Sequence, residues 1–410
     1  MELFYADISS GVKIKWGDLL ADLKHMNRFT PYCQESDFYL VFLHLIASML
    51  LEREIVLFDS DFSQDETERL LRDFDFTNNT TVIGNQFAGI ATKDVLLERL
   101  KQVGPSWRIT LFTSGTTGLP KHVSHSYKSV TRFVKTSARH SFNTWGYAYN
   151  PTHMAGIQVF FQALLNGNPI IRLFGLSKDQ IFQSISYFSI SHISATPTFY
   201  RLLLPTNNHF QKVTNITSGG EKFDDKLSAQ LTRAFPNAKI TNVYASTEAG
   251  TLLASKGNEF LIKEEYADTI KIENGELLVH KSLMGTSDNI NSDWYHTGDL
   301  VEIVAENPLL FKFLSRKNEM INVGGYKVNP TEVEETIRDI QGVADVRVFA
   351  RNSSVLGNII CCEVVRSNPS LDESCLRKQL QTRLQEFKIP RMVRFVDILT
   401  TTRTGKLKRN

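Results

Sequence analysis

The chain has 410 residues, of which 42% are hydrophobic and 22% charged, and its formal net charge is +2. This length predicts two or three domains, and the composition is that of an ordinary globular protein. The near-neutral charge gives no electrostatic basis for binding nucleic acid or a membrane surface. The N-terminus has no basic segment followed by an apolar core, and the longest apolar run, 39–51, is too short to span a bilayer. We therefore expect neither a secretory signal nor a membrane anchor.

The cysteines predict free thiols rather than a metal site. Cys33, Cys361, Cys362 and Cys375 lack the spacing of metal ligands, and the adjacent pair Cys361 and Cys362 would point to opposite faces of a strand. A reducing, cytoplasmic location fits this pattern.

Short strands and helices are predicted to alternate in the first quarter of the chain. We expect a helix over 37–51, a buried strand over 55–58 that ends at Asp59, an exposed helix over 65–74 and a short strand over 81–83. Strands that alternate with helical patterns are typical of parallel βαβ units. The sequence therefore predicts an α/β fold here.

A loop rich in glycine and hydroxyl side chains follows the next apolar strand, with the sequence Thr113-Ser114-Gly115-Thr116-Thr117-Gly118-Leu-Pro-Lys121. Glycines let backbone N–H groups approach an anion, hydroxyls add donors, and the lysine adds a point charge. The spacing is not that of a Walker A loop, because only two residues separate the two glycines. These residue types indicate a polyphosphate-binding loop, although ordinary surface loops can have the same composition.

The middle of the chain continues this pattern. We expect a helix over 126–137, strands over 170–174 and 193–197, and a strand from 216 that breaks at Gly219-Gly220 in a tight strand-to-helix turn. His153 lies in this region, and a histidine in such a setting is more often a core or capping residue than a catalytic one.

The region before residue 300 is predicted to be β-rich. Runs over 270–272 and 276–280 flank an Asn274-Gly275 pair, which is a hairpin signal. A small β-barrel-like subdomain fits this pattern.

The composition changes near residue 316, where a small α+β domain is predicted to begin. Asn329, Pro330 and Glu332 form a helix start, and strand and helix patterns follow. We therefore divide the chain into a large domain, 1–315, and a small domain, 316–410. The basic tail that ends the chain has, by composition alone, the character of a frayed end.

Five stretches of the sequence resemble the motifs of the adenylate-forming superfamily, which includes acyl- and aryl-CoA synthetases, peptide-synthetase adenylation domains and luciferases. They occur in the family's order, at 113–121, 244–248, 295–299, 316–330 and 405–406. The resemblance implies a large N-terminal α/β domain with a β-barrel-like subdomain and a small mobile α+β C-terminal domain. In this family the segment ahead of the phosphate loop is usually longer, so we expect a trimmed N-terminal subdomain.

The resemblance implies that ATP is bound by the loop and by four further motifs. The loop would hold the β- and γ-phosphates, Asp299 and Arg316 the ribose hydroxyls, and Tyr244 would stack on adenine. The full set of implied nucleotide-binding residues is Thr113, Ser114, Gly115, Thr116, Thr117, Gly118, Lys121, Gly219, Gly220, Glu221, Tyr244, Asp299 and Arg316.

The resemblance also implies catalytic roles. Lys406 would bridge the carboxylate and the α-phosphate, Thr247 would donate to a phosphate, and Glu248 would hold a Mg²⁺ that bridges phosphate oxygens. His153 would line the carboxylate site. Asn318 stands at the family's hinge position, where aspartate or lysine is usual, and asparagine tolerates unusual backbone angles.

The implied reaction has two steps. The oxygen of a carboxylic acid attacks the α-phosphorus of ATP in line, which gives an acyl-adenylate and pyrophosphate. The small domain then rotates, withdraws Lys406 and brings Gly324-Gly325 towards a thiol channel. A pantetheine thiol takes the acyl group, on coenzyme A as the first choice or on an acyl carrier protein as the alternative.

Two alternatives concern the substrate and the activity. Peptide-synthetase domains bind an amino group with an aspartate just after the position of His153, whereas this chain has Ala155 and Gly156, so an amino-acid substrate is disfavoured. A degenerate nucleotide-binding member without catalysis is favoured by Ala245, which replaces the usual glycine, by Asn318 and by the expected trimmed N-terminus. The retained charged residues oppose it, namely Lys121, Glu248, Asp299, Arg316 and Lys406.

Overall fold

The computed structural model describes residues 2–74, 80–113, 120–287, 290, 292–323, 326–353 and 357–401. The described residues form two compact units, 1–257 with 280–294 and 258–279 with 295–410. The β-rich segment predicted to be a subdomain of the large domain thus shares a compact unit with the C-terminal residues. A functional boundary at residues 315/316 with a hinge at Asn318 stays a prediction.

The helices are α1 Trp16–His25, α2 Phe38–Leu50, α3 Gln64–Leu71, α4 Lys93–Lys101, α5 Tyr127–Thr131, α6 Met154–Leu164, α7 Lys178–Tyr187, α8 Pro197–Leu203, α9 Asp225–Ala234, α10 Pro330–Arg338 and α11 Glu373–Gln381. The strands of the first unit are β1 Leu3–Asp7, β2 Val12–Lys15, β3 Arg28–Phe29, β4 Tyr32–Cys33, β5 Ile55–Leu57, β6 Thr81–Val82, β7 Arg108–Thr113, β8 Lys121–Ser126, β9 Trp145–Tyr147, β10 Ile170–Arg172, β11 His192–Ala195, β12 Asn215–Gly219, β13 Lys239–Ser246 and β14 Gly250–Ser255. The remaining strands are β15 Glu259–Leu261, β16 Ile270–Glu273, β17 Glu276–His280, β18 Trp294–Glu306, β19 Leu309–Arg316, β20 Ile321–Val323, β21 Tyr326–Val328, β22 Val343–Ser353, β23 Gly357–Arg366 and β24 Met392–Val396.

An eight-stranded sheet is the centre of the first unit, in the order β14-β13-β12-β11-β9-β10-β1-β2. The six strands from β13 to β1 pair in parallel, and the edge strands β14 and β2 pair antiparallel. Successive side chains face opposite cores: Ile170 packs on the side of α2 and α6, and Ile171 on the side of α7, α8 and α9. The chain leaves β9 for β10 on one side and returns past it to β11 on the other. The carboxyl ends of β9 and β11 therefore mark the point at which ligands bind in such sheets.

A second sheet, β4-β5-β7-β8, packs on the far side of the core that contains α2 and α6. Its strands β4, β5 and β7 pair in parallel, and β8 pairs antiparallel with β7. Its other face packs Phe58 and Phe112 against Leu70 of α3. Because β7 and β8 flank the glycine-rich loop, this sheet anchors both ends of that loop.

The second unit contains two further sheets. Strands β15 to β19 form an antiparallel sheet in the order β15-β19-β18-β17-β16, as expected for the β-rich segment. At its hairpin Asn274 and Gly275 have φ of 51° and 74°, the left-handed conformation that a two-residue turn requires. The C-terminal residues pair β20 to β24 in one sheet covered by α10 and α11.

The helix predicted over 126–137 is wrong in its length. Ser126 caps α5, which ends at Thr131. The following backbone bonds to α6 instead: the N–H of Lys135 donates to Gln162, and its carbonyl accepts from Gln162 and Asn166. Tertiary hydrogen bonds therefore replace the continuing helix.

Candidate active site

The glycine-rich loop begins and ends on paired strands. Thr113, the last residue of β7, lies opposite Lys121, the first residue of β8, in an antiparallel register. The loop is therefore the connection of a β-hairpin whose arms are held in the sheet. The other predicted phosphate ligands of the loop lie outside the described residues, namely Ser114, Gly115, Thr116, Thr117 and Gly118, and so does Lys406.

His153 is held by a buried carboxylate. It occupies the N-cap position of α6, and its Nε2 lies 2.7 Å from Oδ2 of Asp59, which follows β5. The other oxygen of Asp59 accepts from Thr152 Oγ1 at 2.9 Å and from the amide of Asn150. The imidazole thus donates from Nε2, and its orientation is fixed beside the carboxyl end of β9. The role of His153 at a carboxylate site stays a prediction.

Asp59 is ionised in this setting. Burial opposes ionisation, but the hydrogen bond and Coulombic attraction of His153, together with the hydrogen bonds from Thr152 and Asn150, outweigh it and lower the pKa of Asp59 below its usual 3.8. A folded pKa below the unfolded one contributes stability above the unfolded pKa, and this stability is lost as the pH falls through the folded pKa.

Replacing Asp59 with asparagine is expected to lower the free energy of unfolding by about 1–3 kcal/mol at pH 7, because a buried donor then loses its acceptor. The difference from the wild type should shrink as the pH falls below about 4, where the wild-type carboxylate takes up its proton. Urea unfolding across this pH range measures both effects. Asp65→Asn, at an exposed carboxylate in the first turn of α3, serves as the control. An equal difference at every pH would contradict the ionised assignment.

The glycine pair at the end of β12 is required by local packing and backbone geometry, without any ligand. A Cβ at Gly219 would lie 2.5 Å from Cγ2 of Val243, and Gly220 has a φ of 84°. The next residue, Glu221, accepts from the backbone N–H of Thr198 in the first turn of α8 at 2.9 Å. All three predicted residues thus lie at the carboxyl end of β12, and Glu221 ties this turn to α8.

Tyr244 and the two residues after β13 lie at the adjacent strand end. The pairing of β13 with β14 has a bulge between Tyr244 and Ala245. Ala245 pairs with Thr251 and does not have a left-handed φ, so an alanine fits here without strain. The chain then turns through Thr247 and Glu248 into β14.

Both carbonyls of the Thr247-Glu248 pair are bound by other segments. The Thr247 carbonyl accepts from Nε2 of His125 on β8 at 2.8 Å. The Glu248 carbonyl accepts from the N–H of Gly285 at 2.6 Å. The backbone that carries the predicted metal-binding carboxylate is thus fixed on two sides.

Asp299 and Arg316 meet in the second unit. They face each other across β18 and β19, and Nε of Arg316 lies 2.8 Å from Oδ1 of Asp299, which is 6% exposed. The preceding Gly298 has a φ of 74°, and its N–H donates to Glu276 at 2.9 Å. The two predicted ribose-binding residues therefore form an ion pair, and Glu276 supports their loop.

The residues present fit Mg-ATP. Magnesium is commonly held by one or two carboxylates together with substrate phosphates and water. Glu248 is a single carboxylate on a fixed turn, and across the described part of the chain no group of three or more His, Cys, Asp or Glu could hold a metal. Lys121 starts the strand that contacts this turn, so the predicted phosphate ligand and the predicted metal ligand lie on hydrogen-bonded segments.

Four residues that hold the candidate site residues in place were not predicted from the sequence: Asp59, His125, Glu276 and Gly285. A signal existed only for Asp59, which directly follows a buried strand and so lies at a sheet edge where polar residues gather. The partners of the others are far away in sequence, 122 residues for His125 and Thr247. Their contacts therefore leave no local pattern.

These features are typical of α/β enzymes that use a nucleoside triphosphate. They are the doubly wound sheet, the hydroxyl-rich sequence between β7 and β8, and the carboxylate that follows β13. Comparisons identify the family. A family model described as "AMP-binding enzyme" matches residues 86–271, and one described as "AMP-binding enzyme C-terminal domain" matches residues 332–406. The chain belongs to this adenylate-forming superfamily.

Individual relatives agree with this assignment. The chain is 25% identical over 365 residues to a 2-succinylbenzoate–CoA ligase of Listeria innocua, covering 80% of this chain and 77% of the relative. It is 26% identical over 346 residues to the mitochondrial acyl-coenzyme A synthetase ACSM4 of Homo sapiens, covering 73% and 59%. The structure of o-succinylbenzoate CoA synthetase (MenE) from Bacillus subtilis, in complex with the acyl-adenylate intermediate OSB-AMP, is similar with a TM-score of 0.69 and 19% identity. It covers 99% of this chain and 94% of that one.

The family and the α/β fold class predicted from the sequence are confirmed. The predicted reaction class, that of an AMP-forming acid–thiol ligase, is confirmed at the same level. No helix within the described ranges is long and apolar enough to cross a bilayer.

Proposed function

We propose that this protein activates a carboxylic acid that lacks an α-amino group and transfers it to coenzyme A. The observation that carries the proposal is the physical link between two parts of the nucleotide site. Lys121 begins β8, and four residues later on the same strand His125 binds the backbone that carries Glu248. The strand that follows the predicted phosphate loop is therefore hydrogen-bonded to the turn that carries the predicted metal-binding carboxylate.

In the first step the residues of this chain act by position and charge. Lys121 and the loop that precedes it bind the terminal phosphates, and Glu248 holds the metal. Mg²⁺, when bound, neutralises charge on the phosphate oxygens. The acid's oxygen then forms a bond to the α-phosphorus as the bond to pyrophosphate breaks. Thr247 donates to a phosphate, His153 lines the carboxylate site, and Lys406 stabilises charge between the carboxylate and the α-phosphate.

In the second step a thiolate attacks the acyl carbon, and AMP leaves. Motion about Asn318 withdraws Lys406 after adenylation, and the Gly324-Gly325 segment takes part in admitting the thiol. Both statements rest on the family resemblance, and Gly324 and Gly325 lie outside the described residues. Coenzyme A is the acceptor we propose, with a carrier protein as the alternative that the acceptor assay distinguishes.

The residues beside His153 support an acid without an amino group. A Cβ at Gly156 would lie 2.4 Å from the Asn150 carbonyl and 2.5 Å from the Tyr147 hydroxyl, so no carboxylate side chain fits at that position. The nearby carboxylate of Asp59 already accepts three hydrogen bonds. An ammonium group beside His153 would therefore have to compete with these three donors for Asp59.

We place the protein in the reducing cytoplasm. Cys33, Cys361 and Cys362 are buried free thiols, and burial raises the pKa of the Cys33 and Cys362 thiols to about 12. Such thiols behave as core residues rather than as disulfide or metal ligands.

Pyrophosphate release from ATP is expected with a subset of aryl, short-chain and long-chain acids and not with amino acids. Hydroxylamine should trap the adenylate as a hydroxamate, and coenzyme A should replace hydroxylamine to give a thioester. A phosphopantetheinylated carrier protein is the parallel acceptor. ATP binding without release in the presence of any acid would overturn the catalytic assignment and favour a nucleotide-binding member that adenylates nothing.

A further inference from the structure

We infer that His125 is a positioning residue for the metal site: it fixes the Thr247-Glu248 backbone relative to the phosphate loop. The inference rests on the proposed function, since that function assigns the metal to Glu248. It concerns a residue outside every motif described above. His125 touches neither substrate nor metal in this assignment and acts through the backbone that it binds.

The hydrogen bonds of His125 define its tautomer. Its Nε2 lies 2.8 Å from the carbonyl oxygen of Thr247, and its Nδ1 lies 3.0 Å from Oγ of Ser129. A carbonyl can only accept, so Nε2 carries the proton, and Nδ1 accepts from the serine hydroxyl. Ser129 lies in α5, one turn after β8 ends. Its hydroxyl therefore holds the imidazole in the orientation in which Nε2 faces the Thr247 carbonyl.

His125 remains neutral while it makes this contact. The side chain is 1% exposed, and burial lowers its pKa to about 4. A neutral imidazole with one fixed donor adds no positive charge that would compete with a metal near Glu248. The donor–acceptor pattern therefore holds across the pH range in which the enzyme would work.

A second contact binds the same turn from another segment. The Glu248 carbonyl accepts from Gly285, and the next residue, Thr286, forms an antiparallel bridge with Ser124, the neighbour of His125. A Cβ at Gly285 would lie 2.6–2.7 Å from the His125 ring, so the backbone packs directly on the imidazole. The turn, the Gly285 segment and β8 thus form one hydrogen-bonded cluster around His125.

The competing explanation is that His125 merely fills space. A space-filling role would need no donor, and any residue of similar volume would preserve the metal site. A positioning role needs the N–H at the Thr247 carbonyl. These explanations differ in what they predict for leucine and for glutamine at position 125, since only glutamine retains a donor.

The test compares His125→Leu, His125→Gln and a control, His192→Leu, in the full chain. His192 is also a buried histidine whose pKa burial lowers to about 4, but it begins β11 at the opposite, amino end of the sheet. Calorimetric titration gives ATP affinity as a function of Mg²⁺ concentration. Acid-dependent exchange of pyrophosphate into ATP gives kcat and KM, and thermal unfolding gives Tm.

His125→Leu is expected to raise the Mg²⁺ concentration for half-maximal ATP binding about tenfold and to lower kcat about 10- to 100-fold, with little change in the KM for the acid. His125→Gln should recover most of both losses. His192→Leu should lower Tm without changing the Mg²⁺ dependence. If His125→Leu does not fold, Ser129→Ala, which removes only the hydroxyl at Nδ1, should raise the Mg²⁺ requirement by about threefold.

Unchanged Mg²⁺ dependence in His125→Leu, or in Ser129→Ala where that variant replaces it, overturns the inference. Equal impairment of the leucine and glutamine variants also overturns it. A wild-type protein that binds Mg-ATP but activates no acid would defeat the proposed function alone, since the binding titration still measures the effect of His125. A wild-type protein whose ATP binding is independent of Mg²⁺ would defeat both.

Discussion

Replacing Lys406 with alanine is expected to lower the rate of pyrophosphate release about 10²–10³-fold and to leave the second half-reaction nearly unchanged. The lysine is the only charged residue assigned to the position between the attacking carboxylate and the α-phosphate, where negative charge accumulates. Removing one such stabilising group typically has an effect of this size. The choice of Lys406 for this role is supported by its place in the sequence, because the Gly405-Lys406 pair ends the matched C-terminal domain, 332–406.

The measurement separates the two half-reactions. Pyrophosphate release with hydroxylamine reports adenylation, and thioester formation from a supplied acyl-adenylate and coenzyme A reports transfer. Lys408→Ala, which removes a cation two residues further along the same tail, is the matched control and should behave like the wild type. Equal slowing of both half-reactions, or equal effects of the two substitutions, would show that Lys406 has no specific role in adenylation.

Replacing Glu248 with glutamine is expected to lower kcat for adenylation about 10²–10³-fold and to raise the Mg²⁺ requirement at least tenfold. The substitution keeps the size of the side chain and the carbonyl that accepts from Gly285, so the turn should remain in place. What is lost is the negative charge that holds a hard cation, together with one of its oxygen ligands.

Rates measured across a Mg²⁺ titration at saturating ATP test this prediction, with thermal unfolding as a check on folding. Glu264→Gln, at an exposed carboxylate of the second unit, is the control. Comparison with His125→Leu is informative, because that variant should share the shift in Mg²⁺ dependence at a smaller size. If the Glu248→Gln protein keeps the wild-type Mg²⁺ dependence, the assignment of Glu248 as the metal ligand is wrong.

Local patterns predicted many elements well. The helix expected over 37–51 forms as α2, Phe38–Leu50, with Asp37 as its cap, because a continuous apolar run after a capping residue has few alternatives. The Asn274-Gly275 hairpin forms because its φ angles suit those two residues. The helix over 126–137 fails after Thr131, where side chains of α6 capture the backbone of Lys135. No pattern within that segment could have shown this competition.

The physical reason for a residue type was less predictable than its position in the sequence. Gly219 and Gly220 are among the nucleotide-binding residues that the family resemblance implies. The structure adds a requirement that does not involve a ligand, since Val243 leaves no room for a side chain at Gly219 and Gly220 adopts a left-handed φ. Ala245, a departure from the usual glycine, sits in a paired strand with ordinary backbone angles.

The sequence by itself determined the family, the reaction class and the position of each motif, because binding phosphate, metal and ribose needs particular residue types at short, fixed spacings. Tertiary structure alone decided which residues hold those motifs in place. Asp59 lies 94 residues from His153, and His125 lies 122 residues from Thr247. Such partners meet only because the fold brings the ends of strands from two different sheets together. Asp59 follows a strand of the sheet β4-β5-β7-β8, which also contains His125, whereas His153 and Thr247 follow strands of the eight-stranded sheet. A single buried hydrogen bond of this kind leaves no periodicity and no spacing in the sequence.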